Sequence, residues 1–207
     1  MKIKEIAKLA KRNGELTLLE PVEGRGVQWV SVGNAAYPLY GMPDLDRDTV
    51  TTVLDLSEKE LKKINVSFRS AFKDYEYSGY VDNQAPLEHS ELPIKIGDIT
   101  YNPVKTSKGL MFYNPDFLKP IRDEESEIYE RKTPSGKIYF SVQHGTFVQA
   151  LIMPEALDEE DLVMRLRKLV EALEDKIEAN VLDRLKTVTH YNNYKLDTET
   201  GEVIEEE

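Results

Sequence analysis

The chain has 207 residues, no cysteine, and 38 acidic against 27 basic side chains, for a net charge of −11 at neutral pH. These numbers exclude a disulfide framework, a thiolate metal site and a cysteine nucleophile. They also exclude a protein that coats nucleic acid with its whole surface, because phosphate binding relies on Lys and Arg displacing counterions.

In chain order, Ile3, Ile6, Ala7 and Ala10 fall at helical spacing, with Lys2, Lys4, Lys8, Lys11 and Arg12 on the other faces. Asn13-Gly14 predicts the end of that helix, because both residues tolerate the left-handed conformation. LTLLE, VQWVSV and AAYPLYG then read as three strands, the last two joined through Gly33-Asn34, and Pro38 predicts an edge position or a bulge. Residues 44 to 109 form an irregular insert. It carries short helices at DTVTTVLD, capped by Asp48, and SEKELKKI, where Ser57 and Glu60 form a capping box. An aromatic strand, SFRSAFKDYEYSGY, follows.

LMFY at 110 to 113 leads into a helix of about two turns opened by Asn114-Pro115-Asp116 and limited by Pro120. EIYER, KIYFSV and TFVQALIMP are three further strands, turning at Lys132 to Gly136 and at Gln143-His144-Gly145. Leu162, Leu166, Leu169, Leu173, Ile177, Val181, Leu185 and Val188 then define one stripe and predict a long amphipathic helix. YKLDTETGEVIEEE closes as a hairpin or ends as an acidic tail. The charged N-terminus and the lack of any run of roughly 20 apolar residues predict no signal peptide and no membrane span. A cytoplasmic protein is the simplest expectation.

Few residues carry recognisable chemistry. Asp44, Asp46, Asp48 and Asp55 mimic calcium-loop spacing, but the position that requires glycine is Thr49, and helix capping explains the cluster better. His89, His144 and His190 stand apart from any acid or hydroxyl in a catalytic pattern. No nucleotide-loop, serine-elbow or zinc-helix motif is present. The expectation is a non-enzyme with no cofactor and no metal.

Residues 3 to 43 and 114 to 154 follow the same order of helix, strand, turn and two strands, each ending in Met-Pro. This internal duplication resembles a domain of the DNA polymerase sliding clamp, most closely in LMFYNPDFLKPI and GTFVQALIMP. The resemblance implies one clamp-like α+β domain over 1 to 155, built from units at about 1 to 43 and 110 to 154, with residues 156 to 207 as a helical extension. It implies that Lys4, Lys8, Lys11, Arg12, Lys119 and Arg122 face DNA, and that Met153 and Pro154 receive replication proteins. Family rings contain six such domains, so a homo-oligomer is implied too. The expected function is a non-catalytic DNA-replication accessory or DNA-binding protein, and the compact chain fits a phage or mobile-element origin. The alternative is an assembly protein that oligomerises through the C-terminal helix without touching DNA.

Overall fold

The computed structural model describes residues 1–21, 26–71, 73–77, 79, 85–88, 93–121, 126–155, 168, 194–196 and 203–205. The chain divides into two compact units, Met1–Ala156 and Leu157–Glu207.

The first unit is a mixture of helices and strands organised on a seven-stranded sheet. Helix α1 (Ile3–Asn13) ends at Gly14, whose φ of +70° directs its N–H to the Ala10 carbonyl at 2.9 Å. Strands β1 (Glu15–Glu20), β2 (Trp29–Val32) and β3 (Ala35–Pro38) form an antiparallel meander. Gly33 turns the β2–β3 hairpin with a φ of +57°, the positive angle that a tight hairpin of this hand needs at its first central residue. Helices α2 (Arg47–Val53) and α3 (Glu58–Leu61) return the chain to β4 (Asn65–Ser70), which pairs in parallel with β1 at the sheet edge.

Strands β5 (Ile94–Ile96), β6 (Ile99–Thr106) and β7 (Gly109–Tyr113) make a separate three-stranded sheet. A single 3-10 turn, Pro115–Leu118, follows. The second meander is β8 (Glu127–Lys132), β9 (Ile138–His144) and β10 (Phe147–Ile152). The two meanders join through β3 and β10, with Ala36 opposite Leu151 and Ala35 opposite Ile152.

Alternation along the strands separates two apolar faces. On the inner face, Leu16, Leu18, Val30, Val32, Tyr37, Phe140, Val142 and Ile152 pack with Ile6, Leu9 and Ala10 of α1 and with Phe117 of the 3-10 turn. The Tyr37 hydroxyl donates to the Phe117 carbonyl at 2.8 Å and pins that turn to the sheet. Tyr113 of β7 meets Phe140 edge-on at 6.1 Å, and the Ser107 N–H donates to Glu130 at 2.7 Å, so the small sheet is fastened to the second meander.

On the outer face, Leu19, Trp29, Ala36, Tyr139, Val148 and Leu151 lie beneath a strap formed by residues 73–77. Tyr77 packs edge-on against Trp29, and Tyr75 against Tyr139, each at 4.9 Å between ring centres. The Glu76 N–H donates to the Tyr139 hydroxyl oxygen at 2.8 Å. Beyond the strap, Gly79 lies so close to the β9–β10 turn that a Cβ there would sit 1.7 Å from the Thr146 carbonyl oxygen.

Several sequence expectations are corrected. Of the two settings expected for Pro38, the bulge is the one found, and the edge is ruled out because β3 is a central strand. Continuing its register sets Pro38 opposite Gln149, where β10 is irregular between Val148 and Ala150, so the ladder is already interrupted where proline offers no donor. The same irregularity puts Val148 and Leu151 on one face. Helix α2 starts earlier than expected: Asp46, not Asp48, is its cap, accepting the N–H groups of Asp48 and Thr49 at 3.1 and 2.8 Å. The expected two-turn helix after Asn114 is one 3-10 turn, although Asn114 does cap it, accepting from the Asp116 N–H at 2.9 Å. The aromatic segment after Val66 stops being a strand at Ser70 and becomes the strap. Finally, Ser31 pairs with Ala36 and Ser141 with Leu151, so Met153 corresponds to Pro38 in pairing, not to Met42.

In the second unit, β11 (Tyr194–Leu196) pairs antiparallel with β12 (Val203–Glu205), the first of the two endings expected for this segment. The predicted long helix lies outside the described residues, apart from Lys168, which is helical.

Candidate functional site

Two surfaces of the first unit gather the residues of interest, one on each side of the seven-stranded sheet. The first is the solvent side of α1 and the 3-10 turn. Lys4, Lys8, Lys11 and Arg12 are exposed on α1, because the helix spends Ile6, Ala7, Leu9 and Ala10 on the core. Lys119 closes the 3-10 turn. Arg122 lies outside the described residues. The two helical elements sit side by side: Arg12 of α1 forms an ion pair with Asp116, and the Lys2 N–H donates to the Pro120 carbonyl at 2.6 Å.

Carboxylates share this surface. Lys8 pairs with Glu5 at 2.6 Å, Lys11 with Glu60 at 2.7 Å, and Lys119 with Asp116 at 2.6 Å. The Lys11 contact, followed by the Ser57 N–H, holds Glu60 down to about 2. Lys119 first, and then Arg12, hold the Asp116 carboxyl below its ordinary range. All of these pairs are solvent-accessible, and such pairs contribute little to stability.

The second surface is a groove on the outer face with a volume of about 250 Å³. Leu19, Ala36, Leu151 and Met153 form its apolar floor, and Tyr75 and Tyr77 of the strap its wall. Arg69 of β4 stands beside Leu19 in register, while Glu15, Gly33 and Asn34 lie at the opposite end. Met153 is held in place by its N–H, which donates to the Asn34 carbonyl at 2.7 Å. Pro154 is half-buried and does not line the groove. Next to it, the Asn34 amide donates to Glu155 at 3.0 Å, and burial raises the Glu155 carboxyl above its ordinary value.

Sequence reasoning found Met153 but not Arg69, Tyr75 or Tyr77. The alternating Tyr75-x-Tyr77 was a signal that two rings fall on one side of an extended segment, but nothing local says which strands they cover. Of the histidines, His144 is exposed at the end of β9, while His89 and His190 lie outside the described residues. Asp46, Ser57 and Glu60 are engaged as helix-capping groups. Among the described residues, no three His, Cys, Asp or Glu side chains converge in a metal-binding arrangement, and no helix is long and apolar enough to cross a membrane.

Compared with protein-family models, curated proteins and solved structures, the chain matches none.

Proposed function

We propose that this chain is a non-catalytic accessory protein of DNA replication or DNA binding, built on an internally duplicated, sliding-clamp-like domain. One observation carries the reading: α1 and the 3-10 turn stand side by side on one face of a continuous sheet made of two meanders, joined through their third strands. Ala36 and Leu151, which hold equivalent places in the two hairpins, face each other at that junction, as a pseudo-twofold requires. In this reading Lys4, Lys8, Lys11, Arg12, Lys119 and Arg122 contact phosphates without reading sequence. Met153, Pro154 and the groove receive a partner protein, and six copies close a ring.

The test is affinity for a duplex across a salt series. Wild type is expected to bind at low salt, with a log–log slope of roughly −0.9 for each phosphate neutralised. The double variant Lys8→Glu, Lys11→Glu is expected to lose binding. No binding by wild type even at low salt overturns the DNA assignment.

A second reading draws on the ion pairs: Lys8, Lys11, Arg12 and Lys119 already have carboxylate partners. That favours an assembly protein without DNA contact, and it is what remains if the titration fails.

A further inference from the structure

The two margins of the seven-stranded sheet are not equally open. At the β8 margin the chain meets itself: the Leu87 N–H donates to the Ile128 carbonyl at 2.7 Å, and the Ser107 N–H donates to Glu130 at 2.7 Å. At the β4 margin, among the described residues, β4 pairs with β1 alone, and Asn65, Phe68, Arg69 and Ser70 are exposed along it. The Asn65 N–H donates to the Gly14 carbonyl at 2.8 Å, on the β1 side, so Asn65, Ser67 and Arg69 turn their main-chain groups toward β1. Val66, Phe68 and Ser70 turn theirs to solvent. This six-residue edge has no proline, no lysine and no bulge, the features that block addition of a further strand.

Two unmatched charges lie near the same margin. Arg69 and Glu15 are exposed, and neither makes an ion pair among the described residues. Asn65 is the register partner of Glu15, and Arg69 that of Leu19, so the two charges stand four residues apart along the strands, about 13 Å, and do not meet within one copy.

A second β4 running antiparallel sets side chains of one face opposite one another, which leaves two central registers, with the two-fold axis through Phe68 or through Ser67. Through Phe68, Val66 stands against Ser70, and Arg69 against Ser67. Through Ser67, Val66 of each copy stands against Phe68 of the other, and this pair exchanges its outward N–H and C=O groups. Arg69 then stands against Asn65. Glu15 lies one strand further on, about 10 Å from Arg69 across two strand spacings and within reach of an extended arginine. The axis makes each of these contacts twice.

We infer that β4 joins a second copy of this chain, antiparallel and with the two-fold axis through Ser67, so that two sheets continue as one. An axis normal to the sheet keeps α1 of both copies on the same side. The pairing goes beyond the DNA reading and does not rest on it.

The chain has no cysteine, so a single one placed on the axis reports the contact. Ser67 and its copy form a pair without mutual hydrogen bonds, about 4.5 Å between Cα atoms, a separation that a disulfide spans. Under mild oxidation of the full chain, Ser67→Cys is expected to form a covalent dimer at least about tenfold faster than Ser70→Cys, whose two sulfurs lie about 20 Å apart along the strands. Sedimentation of the cysteine-free chain measures the reversible dimer. Arg69→Glu and Glu15→Arg are each expected to raise its dissociation constant at least about tenfold, and the double variant, which exchanges the charges, to restore it. Phe68→Pro removes an outward N–H while leaving the pairing with β1 intact, and is expected to give a monomer.

A monomer at every concentration overturns the inference, as does equal crosslinking of the two cysteine variants. A dimer unchanged in both Arg69→Glu and Phe68→Pro overturns it by placing the contact on another surface. A double variant no tighter than the single ones overturns the Ser67 register. Duplex binding is scored separately: a monomer that binds DNA removes only this inference, whereas a dimer through β4 that binds no DNA removes only the DNA assignment.

Discussion

Tyr37→Ala is expected to lower the unfolding free energy by about 3–5 kcal/mol, the range for deleting a large buried aromatic ring. Tyr37 has no solvent exposure and lies between β3 and the 3-10 turn. Burial pushes its phenol well above the ordinary tyrosine range, so it stays protonated and donates to the Phe117 carbonyl. The substitution removes ring packing and this bond together. Tyr37→Phe separates the two: it keeps the ring, leaves the Phe117 carbonyl without its donor, and is expected to cost about 1–3 kcal/mol. Urea denaturation of the three proteins measures both differences. A loss below about 1 kcal/mol for the alanine variant would mean that Tyr37 does not hold the 3-10 turn against the sheet. The side-by-side placement of the helical elements would then need another cause.

The second large effect is expected on the opposite face. Trp29→Ala removes the ring on which Tyr77 packs and is expected to cost about 3–5 kcal/mol. Its signature differs from that of Tyr37→Ala. The strap is held by edge-on ring contacts and by the Glu76–Tyr139 hydrogen bond, without strand pairing. It should therefore open locally before the sheet unfolds. Hydrogen exchange at residues 75 to 77 is expected to accelerate in Trp29→Ala far more than exchange in β9. Uniform acceleration would show that the strap and sheet open as one unit.

Those two residues also illustrate what the amino-acid order made legible. Period-two alternation in VQWVSV sets Val30 and Val32 against Trp29, and the structure puts the two groups on opposite faces. Ile6, Ala7 and Ala10, with Asn13-Gly14 behind them, marked both the buried side and the end of α1. Such signals are local, since a helix stop or a hairpin turn is decided by a few neighbouring residues.

What was not legible depends on distant parts of the chain. The parallel pairing of β4 with β1 joins residues 50 positions apart, for example Thr17 with Ser67, and nothing in either strand names its partner. Lys11 finds Glu60, and Arg12 finds Asp116, only once α1 is docked. Arg69 acquires its meaning in the groove in the same way, because Tyr75 and Tyr77 come to it by way of the strap. The Asp46 cap was missed for a smaller reason: both Asp46 and Asp48 suit the position and each has a Thr three residues on, so the local order does not separate them; in the structure Asp46 takes the place, and its N–H donates to the Thr49 hydroxyl at 2.7 Å.

The central proposal is that the face bearing α1 and the 3-10 turn lies against DNA while the strap side does not. Lysine acetylation, with and without a duplex at low salt and read by mass spectrometry, tests it most directly. Lys4, Lys8, Lys11 and Lys119 are expected to lose reactivity on addition of the duplex, while Lys73 on the strap stays fully reactive. Unchanged reactivity of the four lysines, or protection confined to Lys73, would contradict the account.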